Sequence, residues 1–268
     1  MRFRDVALTA LAAVVFFPAS GCSQAIVPDR SGAVIFRPRT PSAAAAVNRS
    51  LQLVVFIAPD WSTTSGTLRR FERPSTTAAW APVDVAVPAV VGRTGLAWSD
   101  SGMATDARQP VKHEGDGKSP AGVFPLDTAF GFAPRPEMSW LRMPYVPLAA
   151  GSECVDDGAS AHYNTVVDRS SVARVDWTSA EQMRQIAQYR IGVIVGYNAA
   201  PPQPGRGSCI FLHIWGGPSS TTAGCTALDA GKLEELMRWL DSSRHPTIVQ
   251  LPAAEYARLR DAWQLPPL

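Results

Sequence analysis

A histidine and a cysteine twelve residues apart are the side chains of this protein best suited to chemistry. His213 lies in the apolar run Phe211-Leu212-His213-Ile214-Trp215, which predicts a buried strand, and Cys225 lies in the small-residue turn Thr221-Thr222-Ala223-Gly224-Cys225-Thr226. We expect the strand and the turn to bring the imidazole and the thiol together at one edge of a sheet. A thiol has an ordinary pKa of about 8.5, and a neighbouring imidazole raises its thiolate fraction. The pair therefore predicts a cysteine nucleophile with a histidine base.

The residues around this pair are expected to complete a catalytic site. Gly224 and Cys225 precede a helix-like segment, so their backbone N–H groups are expected to stabilise an oxyanion. Trp215 shares a strand face with His213 under period-two alternation, which makes it a candidate pocket wall. The alternative interpretation is structural, because a histidine on an apolar strand and a free cysteine are both commonly core residues.

Three segments resemble a known enzyme family. Residues 207–213 and 222–228 together resemble the active-site strand and cysteine turn of the YkuD-type L,D-transpeptidases. The segment His113-Glu114-Gly115-Asp116-Gly117-Lys118-Ser119-Pro120-Ala121-Gly122-Val123-Phe124-Pro125-Leu126 is similar to the Gly-rich, Thr/Ser-Pro-x-Gly-x-Phe region of that family. The order and spacing of the segments also agree with the family, and the resemblance covers about Leu51 to Leu268.

The chain also departs from the family pattern. Residues 154–157 and 163–168 resemble a divergent bacterial branch of it. Better-studied members carry Ser/Thr-His-Gly-Cys followed by an arginine, whereas this chain has Ala223 before the glycine and Ala227 in place of the arginine. The interval from His213 to Cys225 is also shorter than usual. Nucleophile and base are retained, but the residues that orient the thiol or bind a substrate carboxylate are not.

The resemblance implies a cysteine-dependent acyltransferase that acts on peptidoglycan stem peptides. Cys225 would attack the carbonyl at a diamino-acid residue, and His213 would take the thiol proton and return it to the leaving amine. The resulting thioacyl enzyme would be resolved by an amine or by water. Residues expected to contact substrate are Thr222, Lys118 and Ser119. The alternatives are a hydrolase or amidase of the same fold, which releases or trims peptide from murein, and a non-catalytic peptidoglycan-binding lipoprotein.

The N-terminal residues predict export. Residues 1–21 combine a short basic start, an apolar stretch over 6–17 and small residues before Cys22, as in a lipoprotein signal peptide. Lipidation of Cys22 would anchor the chain to a membrane, and simple secretion is the alternative. The absence of Asp at position 23 favours the periplasmic face of an outer membrane. We expect 22–50 to form a flexible tether and 51–268 to form one catalytic domain.

Hydrophobic patterning predicts an α+β fold on a mixed β-sandwich or barrel-like core with a few helices, which is also the architecture that the resemblance implies. Helices are expected after the capping-box sequence Thr178-Ser179-Ala180-Glu181, around Leu233 to Leu240, and over Ala253–Trp263. Strands are expected at Leu51–Ala58, Val83–Val87, Thr94–Trp98, Ile191–Tyr197, Cys209–Trp215 and Thr247–Leu251.

The remaining cysteines and the overall charge limit the choice of partners. If Cys225 stays free in an oxidising compartment, the simplest disulfide joins Cys154 to Cys209. The alternatives are two buried thiols, or a Cys209–Cys225 bond that regulates activity. The formal net charge is +2 with scattered basic residues, so no nucleic-acid partner is expected. No cofactor motif is present, and the spacing of His113, His162, His213 and Cys225 matches no metal site.

Overall fold

A large mixed sheet organises the described part of the chain. The computed structural model describes residues 43–268, so the predicted signal peptide and Cys22 lie outside the described residues. The twelve-stranded sheet has the order β5-β6-β15-β1-β2-β4-β14-β13-β12-β7-β8, with β3 paired to β2, and a smaller sheet has the order β10-β9-β11. The strands are β1 (Gln52–Ala58), β2 (Ser65–Glu72), β3 (Ala81–Pro82), β4 (Val87–Val90), β5 (Leu96–Trp98), β6 (Ser119–Pro125), β7 (Thr128–Gly131), β8 (Tyr145–Pro147), β9 (Ser152–Val155), β10 (Val166–Asp168), β11 (Ala180–Gln182), β12 (Ile191–Ile194), β13 (Phe211–Ile214), β14 (Thr226–Leu228) and β15 (Thr247–Pro252).

Three α-helices accompany the sheets within residues 43–268: α1 (Ala43–Arg49), α2 (Ala230–Trp239) and α3 (Ala253–Trp263). Asp229 caps helix α2 at its N-terminus, because its carboxylate accepts from the N–H groups of Gly231 and Lys232, and the helix buries one apolar face. Short 3-10 turns span Ser101–Met103, Arg135–Met138, Arg169–Ser171, Met183–Gln185, Ala187–Arg190 and Ser242–Arg244. No helix in this part of the chain is long and apolar enough to cross a membrane.

The core lies along the central strands. Strand β1 pairs in parallel with β15 and antiparallel with β2, and six of its seven residues are buried. All six residues of β15 are buried as well, as expected for strands covered on both faces. The predicted α+β class with a mixed sheet is therefore confirmed.

Two local predictions are wrong. The capping-box sequence at Thr178 begins no α-helix, because the backbone N–H and the hydroxyl of Thr178 both donate to Asp157 at 2.8 Å and Glu181 pairs with Cys154 as part of β11. The strand expected at Val83–Val87 is also displaced. It begins only at Val87, and Val85 is 80% exposed.

The predicted tether extends too far towards the domain. Residues 43–49, within the segment 22–50 expected to be flexible, form α1, and Ala46 and Val47 are buried in the core. The guanidinium of Arg73 fixes this helix, because it donates to the carbonyls of Val47, Asn48 and Ser50 at 2.8, 3.0 and 2.9 Å. A buried cation thus satisfies carbonyls that the end of the helix leaves unpaired.

Candidate active site

Strands β13 and β14 set the relation between His213 and Cys225. They run parallel, with Leu212 opposite Thr226 and His213 opposite Ala227, so extending the register by one residue places Phe211 beside Cys225. Because side chains alternate along a strand, His213 and Cys225 point to the same face, two residues apart in the register. Both strands lie inside the sheet, between β4 and β12, and not at its edge as expected. The small side chain of Ala227 directly opposite leaves room beside the imidazole.

The ring of His213 is held in one tautomer. Its Nδ1 lies 2.7 Å from the carbonyl oxygen of Ile214, and since a carbonyl only accepts, Nδ1 carries the hydrogen. Burial lowers the pKa of His213, so the ring is neutral near pH 7. Its other nitrogen, Nε2, then has a free lone pair. The ring of Tyr189 packs edge-on against it, with centroids 5.1 Å apart. The imidazole is thus arranged as a proton acceptor.

The Cys225 thiol is free but buried, with the residue 5% exposed. Its Sγ donates to the carbonyl of Cys209 at 3.4 Å and accepts from the backbone N–H of Phe211 at 3.3 Å. Burial, followed by the nearby charge of Glu181, raises the pKa of Cys225 well above its ordinary value. The raised thiolate fraction expected from the sequence is therefore wrong for this state. The thiol is protonated and needs a base when it reacts.

The turn before Cys225 is held by hydroxyl groups. Ser119 Oγ donates to the Cys225 carbonyl at 2.9 Å and accepts from the N–H of Gly92 at 2.9 Å, and Thr222 Oγ1 donates to the same Cys225 carbonyl at 2.6 Å. Ser119 is fully buried beneath this turn, so the prediction that its side chain contacts substrate is wrong. It positions the nucleophile.

Lys118 also differs from its predicted role. Its Nζ donates to the carbonyl of Thr94, and its side chain does not line the cavity that contains Cys225. Its backbone carbonyl packs closely on the cysteine turn, since a Cβ at Gly224 would lie 3.1 Å from it. Lys118 therefore supports the cysteine turn through its backbone.

Only one of the two backbone N–H groups predicted to stabilise an oxyanion is free to do so. Cys225 precedes strand β14 and not a helix, since α2 begins only at Ala230. The N–H of Gly224 already donates to Thr222 Oγ1 at 3.1 Å. Of the two N–H groups expected to act as donors, that of Cys225 is the one left without an acceptor among the described residues. A single backbone donor is therefore available here.

His213 and Cys225 open onto one cavity of about 540 Å³. Trp215, Thr222 and Gly224 line it too, in agreement with their expected places around the site. Trp215 is half-buried and forms part of the wall, two residues beyond the imidazole. A volume of this size is typical of a small-molecule or peptide site.

Sequence reasoning missed a carboxyl and a phenol in this cavity. The hydroxyl of Tyr189 donates to Glu181 Oε2 at 2.7 Å, and its ring packs on Phe130, Phe211 and His213. Burial raises the pKa of Glu181 to about 7. Glu181 was missed because the sequence pattern assigned it to a capping box. No sequence signal pointed to Tyr189.

Two cations were missed as well. Lys112 is buried in the cavity lining, where its ammonium donates to Asp116 Oδ1 and to the carbonyl of His113, both at 2.6 Å. Arg93 lines the rim with an exposed side chain, and its backbone N–H donates to the carbonyl of Thr222 at 2.9 Å. The segment around Asp116 forms a tight turn, with φ of 72° at Gly115 and 70° at Gly117. Through Asp116, this turn holds the ammonium of Lys112 beside the cavity.

A disulfide joins Cys154 to Cys209, the pairing favoured by the sequence. It connects β9 of the small sheet to the residue whose carbonyl accepts from the Cys225 thiol. The disulfide therefore holds the small sheet next to Cys225.

The arrangement combines a neutral thiol, a neutral imidazole and a carboxyl of raised pKa in one cavity, which suits attack on a carbonyl with proton transfer through the imidazole. Within residues 43–268, no three His, Cys, Asp or Glu side chains are grouped closely enough to hold a metal ion.

Comparisons with protein-family models, with curated proteins and with solved structures found no match to this chain.

Proposed function

We propose that this protein is a cysteine-dependent acyltransferase that works through a thioester on Cys225. The observation that carries the proposal is the placement of Cys225 and a neutral His213, with an unprotonated Nε2, on one sheet face beside one cavity. Packing alone does not explain His213, since a buried imidazole costs free energy that an apolar side chain would not.

The reaction balances with these two residues. As Sγ forms a bond to the substrate carbonyl carbon, its proton passes to Nε2 of His213, and the backbone N–H of Cys225 donates to the oxyanion. The carbon–nitrogen bond then breaks, and the leaving amine takes the proton from the imidazolium. An amine or a water molecule next attacks the thioester, loses a proton to the imidazole and releases the thiol. The proton transfer requires a Cys225 rotamer in which Sγ leaves the carbonyl of Cys209 and comes within hydrogen-bond distance of Nε2.

The proposed substrates are peptidoglycan stem peptides, with the chain acting as an L,D-transpeptidase-like enzyme of the corresponding fold. The resemblance of the 113–126 and 207–228 segments is the support, together with their meeting at one site through Lys118, Ser119 and Cys225. The proposal places the protein outside the cytoplasmic membrane, lipid-anchored through Cys22. A disulfide is typical of such oxidising compartments.

The test is the intact mass of the protein after incubation with a penem-type β-lactam, whose strained carbonyl acylates catalytic cysteines. We expect one adduct in the wild type, none in Cys225→Ala, and slower formation in His213→Ala. Tyr256→Phe, a buried hydroxyl change remote from the cavity, is the control. Absence of an adduct on folded, reduced wild-type protein would contradict the proposal.

The burial of Cys225 supports a second candidate, a non-catalytic peptidoglycan-binding lipoprotein. In that case the thiol would be a core residue whose hydrogen bond to Cys209 fixes the turn. Binding of stem peptides that Cys225→Ala leaves unchanged, without any adduct, would favour this candidate. A hydrolase or amidase would form the adduct but transfer the acyl group to water only, which product analysis with an added amine separates.

A further inference from the structure

The phenol of Tyr189 covers the sheet face on which the Cys225 sulfur lies. Its ring packs edge-on against the rings of Phe211 and His213, with centroids 5.4 and 5.1 Å apart. Phe211 and His213 share one face of β13 because they are two residues apart, and the register places Cys225 beside Phe211 on that face. The N–H of Phe211 donates to the Cys225 sulfur at 3.3 Å. Tyr189 is thus packed over both the nucleophile and its base.

Packing explains the ring of Tyr189 but not its hydroxyl. The residue is 5% exposed and lies in a cluster of apolar and sulfur-containing side chains. A phenylalanine would fill this position without the cost of desolvating a hydroxyl. The hydroxyl donates to Glu181 Oε2 at 2.7 Å, and both residues line the cavity that contains Cys225. The hydroxyl is therefore held at the wall of the reaction cavity.

The phenol and the thiol also act on each other. Burial dominates the raised pKa of the Cys225 thiol, and a hydrogen bond from Tyr189 acts in the opposite direction. Burial likewise dominates the raised pKa of the phenol, and the charge of a Cys225 thiolate raises it further. A phenol O–H is a better donor to a thiolate than to a neutral thiol. The phenol hydrogen therefore has two acceptors within reach, the Glu181 carboxylate and the sulfur.

The other groups around the sulfur do not stabilise negative charge on it by a direct bond. Glu181 in β11 raises the pKa of Cys225, and Lys112, ahead of β6, lowers it. The ammonium of Lys112 donates instead to Asp116 at 2.6 Å. The imidazole of His213 is neutral until it takes the thiol proton. Among these side chains, Tyr189 is the donor best placed to reach a thiolate.

We propose that Tyr189 is a catalytic residue whose hydroxyl donates a hydrogen bond to the Cys225 sulfur while that sulfur carries negative charge. This inference rests on the proposed acyltransferase function and adds a donor to it. The charge arises when the thiol proton passes to Nε2 of His213, and again when the carbon–sulfur bond of the thioester breaks and its electron pair returns to sulfur. The phenol keeps its proton in both steps, so the proton balance through His213 is unchanged.

The protonation of Glu181 determines which acceptor the phenol hydrogen faces. A phenol has one hydrogen, and an ionised Glu181 competes with the sulfur for it. A protonated Glu181 carboxyl donates to the phenol oxygen instead and leaves the hydrogen to the sulfur. Burial raises the pKa of Glu181 to about 7, the hydrogen bond from Tyr189 opposes the shift, and the charges of Asp156 and Glu114 add to it. The donation to sulfur is therefore strongest below pH 7.

The first test compares penem adduct formation by wild type and Tyr189→Phe below the pKa of Glu181, with the full-length protein and intact mass as the readout. The variant keeps the ring that packs on His213 and loses only the hydroxyl. We expect it to acylate about ten-fold more slowly, the effect of one hydrogen bond to a charged group. Tyr163→Phe is the matched control, because it removes another buried phenol hydroxyl that donates to a carboxylate, that of Glu114 at 2.6 Å. It should keep the wild-type rate.

The second test needs no acyl transfer. Iodoacetamide alkylates Cys225 while the Cys154–Cys209 disulfide remains intact, and the rate is followed by intact mass across pH. Loss of the phenol donor raises the pKa of the thiol, so Tyr189→Phe should be alkylated about ten-fold more slowly than wild type at a given pH. A merely structural role would loosen the cavity and speed alkylation, which is the opposite sign.

Glu181→Gln is an independent variant, since its amide cannot ionise and can donate to the phenol oxygen. We expect it to form the adduct at least as fast as wild type. The advantage of wild type over Tyr189→Phe should shrink above pH 7, as Glu181 ionises, and should persist when both carry Glu181→Gln. Slower adduct formation by Glu181→Gln would contradict the proposal, even if Tyr189→Phe did not fold.

The outcomes separate the inference from the function beneath it. If folded Tyr189→Phe matches wild type in both the adduct rate and the alkylation rate, Tyr189 does not donate to the sulfur and the acyltransferase function stands. Failure of wild type to form any adduct would overturn that function and the catalytic role of Tyr189 together.

Discussion

Individual side chains at this site determine the protonation state and the position of Cys225 and of its base, His213. His213 is a neutral acceptor because Ile214 fixes its Nδ1–H, and Tyr189 fixes the plane of its ring. The thiol is protonated because it lies among apolar and aromatic residues. Without substrate, both the imidazole of His213 and the thiol of Cys225 are therefore neutral. The thiol proton is transferred to the imidazole only as Sγ bonds to a substrate carbonyl.

Ser119 provides a prediction at this scale. Ser119→Ala removes a donor to the Cys225 carbonyl and leaves the buried N–H of Gly92 without its acceptor. We expect the free energy of unfolding to fall by about 1–3 kcal/mol, and acylation of Cys225 to slow. Urea denaturation and the penem adduct rate measure the two effects. Ser75→Ala, which changes an exposed hydroxyl, should leave both values unchanged. If Ser119→Ala changes neither the free energy of unfolding nor the adduct rate, Ser119 does not position Cys225.

The disulfide provides a prediction at the scale of elements, since it joins the small sheet to the segment before β13. The bond closes a separation of 55 residues, for which the chain-entropy model gives about 4 kcal/mol. We expect Cys154→Ala/Cys209→Ala to lose roughly this free energy of unfolding and to acylate Cys225 more slowly.

Thermal unfolding with and without a dithiol checks the disulfide prediction. The reductant should lower the wild-type midpoint and leave that of the double variant unchanged. Equal midpoints for wild type and variant under oxidising conditions would show that the bond contributes nothing to stability.

Helix α1 provides a second prediction for elements. Arg73 is 3% exposed and donates to three carbonyls at the end of α1. Arg73→Ala removes a donor from all three carbonyls, and only that of Val47 keeps a second one, the N–H of Ser50. We therefore expect the free energy of unfolding to fall by about 3 kcal/mol. Arg69→Ala, in β2 just before Arg73 and without such bonds among the described residues, is the control. Equal urea midpoints for the two variants would contradict the prediction.

The elements also show what the sequence can predict. Strands with long β-branched or aromatic runs, such as β1 and β15, and helix α3 match the structure to within a residue or two. Strand β6 was missed because Pro120, Gly122 and Pro125 within it are typical of a joint. The helix predicted after Thr178 is absent because the N–H and the hydroxyl of Thr178 donate to a carboxylate distant in sequence, Asp157. The hydroxyl is therefore not available for a local capping box.

The same limit applies to the site. The sequence pattern is sufficient to place His213, Trp215 and Cys225 on one cavity, since period-two alternation and a short connection fix their faces. Glu181 and Asp156 reach that cavity only through the pairing of β9 with β11, a tertiary contact that no local pattern encodes. The raised pKa of Cys225 likewise depends on burial by residues from several elements.

At the scale of the whole molecule, three stretches of chain supply most of the site, and Arg93 adds to its rim. Residues 112–119 bring the buried lysine and the serine beneath the turn, residues 154–189 bring the small sheet with its carboxylates, and residues 209–225 bring the base and the nucleophile. Folding must bury Glu181 to complete this arrangement. Global stability is therefore linked to the ionisation of that one carboxyl group.

This linkage predicts how the stability of the protein depends on pH. The pKa of Glu181 is about 7 when folded, against an ordinary value of 4.5. Between these values the unfolded chain has lost the proton that the folded chain retains, so stability falls as pH rises from about 4.5 to about 7. The shift corresponds to about 3 kcal/mol above pH 7, and the penalty is absent below about 4.5. Glu181→Gln keeps an acceptor for Tyr189 and cannot ionise.

Urea denaturation of wild type and Glu181→Gln across this pH range isolates the effect, because the other titrating groups are common to both proteins. The variant should gain stability over wild type progressively from pH 4.5 to pH 7, by up to about 3 kcal/mol. Carboxyl groups whose pKa is lowered, such as Asp60 and Asp106, affect both proteins alike at lower pH. A difference that stays constant with pH would show that Glu181 is ionised in the folded protein throughout.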